Sequence, residues 1–195
     1  MKSLQESLLD DDLVEKTDMY IKDNIDAFLK ENYVGVFKIS KKPNKDGKYE
    51  VSSTNDIKVK NQKITSLTNG AFIWTTVDGS FIVRYCDSLK SLEGAPKEVG
   101  KTFNCSKCGA LISLKGAPEK VGWSFNCANC PSLKSLEGAP EKVGENFNCS
   151  WCYSLTSLKG APKEVGIDFD CVGCKVEFTK EDVKKVSKVK RVICC

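Results

Sequence analysis

From residue 103 to residue 174 the apolar positions recur at a fixed interval of 22 residues. Phe103, Phe125, Phe147 and Phe169 each open a Phe-x-Cys-x-x-Cys segment, with cysteines at 105 and 108, 127 and 130, 149 and 152, and 171 and 174. Alternation over Phe125-Asn126-Cys127 predicts a short strand with Phe and Cys turned inward and Asn126 turned outward. Cys130, Leu133 and Leu136 continue the inward set, and Gly138-Ala139-Pro140 stops any helix and lets the chain return. A fixed period of this length predicts a solenoid whose units bury their apolar faces only against their neighbours. One strand per unit, stacked about 4.8 Å apart over five or six units, predicts a parallel sheet on the order of 25 Å long.

The flanks follow other patterns. Leu13, Met19 or Tyr20, Ile21, Ile25, Phe28 and Leu29 recur at three- and four-residue spacings, which predicts one helix over residues 11–31 whose stripe packs on the end of the following sheet. Asp10, Asp11 and Asp12 suit the start of that helix, where its dipole favours negative charge. The period changes to two between Tyr33 and Val59, with a hairpin-turn signal at Asp46-Gly47. This β-rich stretch is expected to cover the first, open edge of the solenoid. Residues 64–83 read as degenerate repeats in which Val83 holds the first cysteine slot and Cys86 the second. At the other end Thr179-Lys180-Glu181-Asp182 predicts a capped helix of about two turns, and Val189 to Cys194 a last strand. The expected organisation is therefore an acidic helix over 1–32, a β-rich cap over 33–63, the solenoid over 64–176 and a helix-strand cap over 177–195.

Charge sharpens this division. Residues 1–31 hold 4 Lys against 9 Asp and Glu, a net of −5 that leaves +9 for the rest of a chain whose total is +4. A total so small does not call for nucleic acid, and the lysines near the end read first as solvation of a helix face. The acidic start lacks a signal-peptide core and no run of 18 apolar residues exists, so a cytoplasmic chain without membrane attachment is expected. With no histidine, catalysis that needs imidazole is excluded.

Four Cys-x-x-Cys pairs raise zinc and redox chemistry. A structural zinc site needs four convergent ligands, whereas stacked pairs form parallel rows among Phe and Leu, and Val83 in a cysteine slot suits a small apolar position and not a ligand. A thioredoxin-like role needs the pair exposed at a helix start, and Gly-Ala-Pro forbids a long helix after it. Buried structural thiols are expected, without metal or cofactor; Cys194 and Cys195 stand apart as candidate exposed thiols.

Phe-x-Cys-x-x-Cys-x-x-Leu-x-x-Leu resembles the leucine-rich-repeat core in its cysteine-containing form. Cys86, Cys108, Cys130, Cys152 and Cys174 match the ladder position where Asn is more usual. The intervening Ser-Leu-x-Gly-Ala-Pro-x-x-Val-Gly is similar to the repeats of short leucine-rich-repeat proteins encoded by large tailed bacteriophages, over about residues 33–195. The chain departs from them in lacking Asn at the ladder slot and in the irregular Phe72–Val77. The resemblance implies an α+β repeat solenoid with a leucine-rich-repeat parallel sheet, an N-terminal helix and hairpin cap and a C-terminal helix-strand cap. It also implies a protein partner from host or phage, a setting in host defence or regulation, and a place in the host cytoplasm; the alternative is a structural part of the virion packed on a shell protein. No enzymatic activity is expected, because a Gly-rich phosphate loop is missing and the acidic residues sit in mixed Lys/Glu turns.

Binding residues are sought where the repeat leaves side chains free. The outward strand positions Asn104, Asn126, Asn148 and Asp170 offer a polar strip, and Trp123, Trp151 and Tyr153 share their phases with mixed residues, which predicts surface aromatics forming one binding edge.

Overall fold

The computed structural model describes residues 4–194. Helix α1 (Leu4–Asn32) leads into a parallel β-solenoid of about seven turns, closed by helix α2 (Lys180–Val186) and a strand Lys188–Ile193. The expected single strand per unit is in fact two. Each regular coil has a short strand at Lys-Val or Glu-Val (Glu98–Val99, Lys120–Val121, Lys142–Val143) and another at Phe-Asn (Phe103–Asn104, Phe125–Asn126, Phe147–Asn148). The strands therefore stack as two parallel ladders, Val99↔Val121↔Val143↔Val165 and Phe81↔Phe103↔Phe125↔Phe147↔Phe169. Glu164–Asp170 runs through both and joins them into one sheet.

The glycine after each Val separates the two ladders. A Cβ on Gly122, Gly144 or Gly166 would lie within about 2 Å of the glycine carbonyl oxygen one coil below (2.0, 1.8 and 1.9 Å), so only Gly lets the coils stack at hydrogen-bonding distance. Inside, the rings of Phe81, Phe103, Phe125, Phe147 and Phe169 stack with centroids 5.0–5.9 Å apart. Leu111, Leu133 and Leu155, Leu114, Leu136 and Leu158, and the Val ladder complete the core.

The coil pattern reaches further toward the N-terminus than the repeat. Ile57 pairs with Phe81 and Ser53 with Val77, so Tyr49–Ser53 and Ile57–Val59 form a coil in the same two ladders. Tyr33–Val34 and Lys38–Ile39 then cover its edge as antiparallel strands, the latter through the turn at Asp46-Gly47. The irregular Phe72–Val77 is a core strand: Trp74 is 1% exposed, its Nε1 and the Tyr33 hydroxyl both donating to the Leu67 carbonyl. Burial pushes the Tyr33 phenol well up.

Helix α1 differs from the expectation in two ways. It begins at Leu4, which places Asp10–Asp12 beyond its first turn. Its stripe packs on the sheet end only from Ile21 onward, through Ile25, Phe28 and Leu29, whereas Leu13, Met19 and Tyr20 stay 60–69% exposed. At about 1.5 Å per residue, 29 residues outrun the surface that a single coil offers. At the C-terminus the capping box forms: Thr179 Oγ1 accepts from the Asp182 N–H (3.2 Å) and Asp182 Oδ2 accepts from the Thr179 N–H (3.1 Å).

Candidate functional site

The two cysteines of each pair do different work. The second donates its S–H to the backbone carbonyl of the first-cysteine slot one coil below: Cys108 to Val83 (3.0 Å), Cys130 to Cys105, Cys152 to Cys127 and Cys174 to Cys149 (each 3.3 Å). Each of these bonds ends on a backbone carbonyl, which Val83 supplies as well as Cys, although Cys127 of the first slot also donates, to the Asn148 carbonyl (3.3 Å). Cys105, Cys127 and Cys152 are free thiols, and burial pushes Cys105 and Cys127 well up and Cys152 up to about 12. Among the described residues no three Cys, Asp or Glu gather into a group that could hold a metal ion. Cys194 is half-buried, and Cys195 lies outside the described residues.

The polar strip is held to the backbone. Asn104, Asn126 and Asn148 accept, through Oδ1, the N–H two residues on (3.0, 2.9 and 2.9 Å), and Asp170 does the same for Val172 (3.1 Å). These half-buried side chains therefore shape the turn after each strand. Asn126, Asn148 and Asp170, with Ser124, Asn146 and Asp168, border a shallow hollow of about 280 Å³. Asp168 is bound by both arms of Arg191 (2.6 and 2.5 Å), which holds its carboxyl below the usual range, while burial raises Asp170.

The three aromatics do not form one edge. Trp123 stands before its strand, with Lys101 Nζ 5.3 Å from its ring centre; Trp151 and Tyr153 stand after theirs, 6.4 Å apart and edge-on. They flank the polar strip from opposite ends because five residues of strand and turn separate the phase of Trp123 from that of Trp151, and seven separate it from that of Tyr153. All three remain 45–57% exposed.

Trp151 shares its phase with Lys107, Asn129 and Gly173, and the left-handed turn common to this column is what sequence reasoning did not pick out. Tyr85, Lys107, Asn129 and Trp151, one per coil, have φ of 56–61°, and Gly173 continues them at 68°. The backbone turns left-handed here in each of the five coils from Tyr85 to Gly173, at the third residue of Cys-x-x-Cys or its equivalent. That conformation is natural for Gly and tolerable for Asn, but costs a bulky residue about 1 kcal/mol or more. The four residues project as a ridge, Trp151 lying over the next coil where a Cβ on Gly173 would meet its ring at 2.4 Å. The signal was present: Asn129 and Gly173, the two residue types that favour this conformation, share the phase of Lys107 and Trp151.

Fold and surface together define the chain as a parallel β-solenoid with a ridge of strained, exposed side chains along one corner. No protein-family model, no curated protein and no solved structure matches it. No helix among the described residues is long and apolar enough to cross a membrane.

Proposed function

We propose that the chain is a non-enzymatic protein-interaction module of the leucine-rich-repeat type, phage-encoded and directed at a host or phage protein in the host cytoplasm. It binds through the ridge formed by Tyr85, Lys107, Asn129 and Trp151, with Tyr153 beside it and the polar strip of Asn104, Asn126 and Asn148 behind. The observation that carries this reading is the left-handed column. Gly would satisfy the fold at these turns at least as well, as it does at Gly173, yet the chain keeps Tyr, Lys and Trp there against a local backbone cost. Exposed large aromatics on a rigid frame are the usual anchors of protein interfaces. The donor ladder of Cys108, Cys130, Cys152 and Cys174 supports the cysteine-containing leucine-rich-repeat reading, because a side-chain donor to the neighbouring coil is what an Asn at that slot would supply.

The test is affinity capture with mass spectrometry, using the intact chain and its Trp151→Ser/Tyr153→Ser variant as paired baits on infected and uninfected bacterial lysates. The variant should keep its Tm within a few degrees and lose the captured protein by about tenfold or more. Equal capture by both baits would refute the ridge as the binding surface.

A further inference from the structure

Most charged columns of the solenoid neutralise themselves from coil to coil. Lys115 meets Glu93 (2.9 Å), Lys120 meets Glu98 (2.7 Å), Lys159 meets Glu137 (2.8 Å), Lys163 meets Glu141 (2.6 Å) and Lys142 meets Glu164 (3.1 Å). The start of the ridge is different. Arg84 Nη2 and Lys107 Nζ, from neighbouring coils, converge on the hydroxyl of Tyr85 at 3.5 and 3.2 Å, and each cation lies 5.1 Å from the centre of the Tyr85 ring. The guanidinium is pinned by Nε donating to the Oγ of buried Ser106 (3.2 Å). Asp87, the nearest acidic residue along the chain, instead accepts from the Gly109 N–H (3.0 Å). Among the described residues, two positive charges are thus held against one phenol with no carboxylate paired to either, and the phenol oxygen accepts from both cations.

From this we infer that the ridge takes a segment of a protein partner whose Asp or Glu carboxylate sits in the Arg84–Tyr85–Lys107 cluster while an apolar side chain of the same segment rests on Trp151 and Tyr153. The inference rests on the protein-binding reading above and names the chemistry of the partner. A carboxylate suits the cluster because it accepts from a guanidinium through two oxygens and meets an ammonium and a phenol O–H as well. Lys107 bonding to the Tyr85 oxygen already draws its hydroxyl below the usual phenol range, a mark of the positive field there. A nucleic-acid backbone fits poorly. After Lys107 the ridge continues with Asn129 and Trp151, and the far end of the strand face carries Asp168 and Asp170, so successive phosphates would find no cationic track. Tyr85 and Trp151 are three coils apart, roughly 14 Å at the strand spacing, which an extended segment spans in about four residues.

A displayed library of random 12-residue peptides selected on the intact chain tests this. Enriched sequences should carry Asp or Glu about four residues from an aromatic residue or Leu. Arg84→Gln/Lys107→Gln should weaken a selected peptide by about tenfold or more, Glu→Gln in the peptide should do the same, and the two changes together should cost no more than either alone. If the double variant does not fold, Lys107→Gln alone carries the cycle, since that side chain is exposed. Peptides without an acidic preference that still depend on Trp151 and Tyr153 would overturn the inference and leave the binding reading standing. No recoverable peptide, or binding indifferent to both pairs of residues, would overturn both. Tight binding of a 20-residue oligothymidine that Arg84→Gln/Lys107→Gln abolishes would replace the acidic segment with nucleic acid.

Discussion

The column of phenyl rings Phe81, Phe103, Phe125, Phe147 and Phe169 and the column of turn residues Tyr85, Lys107, Asn129, Trp151 and Gly173 lie four residues apart in every coil. Both follow the 22-residue period and both are fixed by the backbone, yet one column is a single residue type and the other holds five. The rings fill a space that repeats identically, so each coil demands the same shape from its neighbours. At the turn the backbone demands a left-handed conformation but leaves the side chains from Tyr85 to Trp151 at the surface, where the repeating core does not choose them. A slot whose occupant varies despite a conformational preference for Gly is where recognition can be written without disturbing the stack.

The contrast can be broken first at the rings. Phe125→Ala opens a cavity between two stacked neighbours and should cost about 3–5 kcal/mol in urea unfolding; a loss near that of a surface change would remove the distinction between core and ridge. Gly144→Ala forces a Cβ against the Gly122 carbonyl and should cost about 3 kcal/mol, since the obstacle is backbone and cannot swing away.

The cysteine slots sharpen the comparison within a single pair. Cys105→Val, copying Val83, should cost under about 1.5 kcal/mol. Cys130→Val removes the donor to the Cys105 carbonyl and should cost about 2 kcal/mol, the difference being a buried acceptor left without a partner. Equal losses would show that both slots are merely small and apolar.

At the C-terminal cap the controlling group is Asp182, held at about 2 by its bonds to the Thr179 side chain and N–H and by Lys185. A carboxylate lowered in the folded state stabilises above its unfolded value of 3.8, and that contribution disappears as pH falls from about 4 toward 2. Hydrogen exchange of α2 should therefore quicken in this window while the Phe ladder stays protected, and Asp182→Asn should flatten the response. The smallest effect belongs to the ridge. Lys107→Gly relieves a left-handed residue and should raise stability by up to about 1 kcal/mol, partly offset by the freer unfolded chain. A clear loss instead would mean that the turn residues hold the stack.

Much of the solenoid was legible because inward positions repeat at a constant phase: the Phe, Cys and Leu slots, the Val83 exception and the Thr179 capping box can be read without coordinates. Two ladders per coil could not be, since Val-Gly-x-x-Phe alternates too briefly to show that Gly122 bends the chain between two strands. Nor could the first coil at Tyr49–Ser53 and Ile57–Val59, whose 24-residue offset from the next falls outside the period. The aromatic positions were found singly, but their division to opposite ends of the strip depends on which side of the strand each falls.

The sequence by itself determined the repeat, the inward residues and the C-terminal cap, because steric fit between identical neighbours makes a periodic stack the one arrangement in which every such side chain is buried. Only the tertiary structure decided that the second cysteine reaches back to the coil below, that the strip Asn side chains fasten their own turns, and that Arg84 and Lys107 share one phenol. Each of these contacts joins groups through the rise between coils and the local handedness of a turn, and neither quantity is carried by residue type alone.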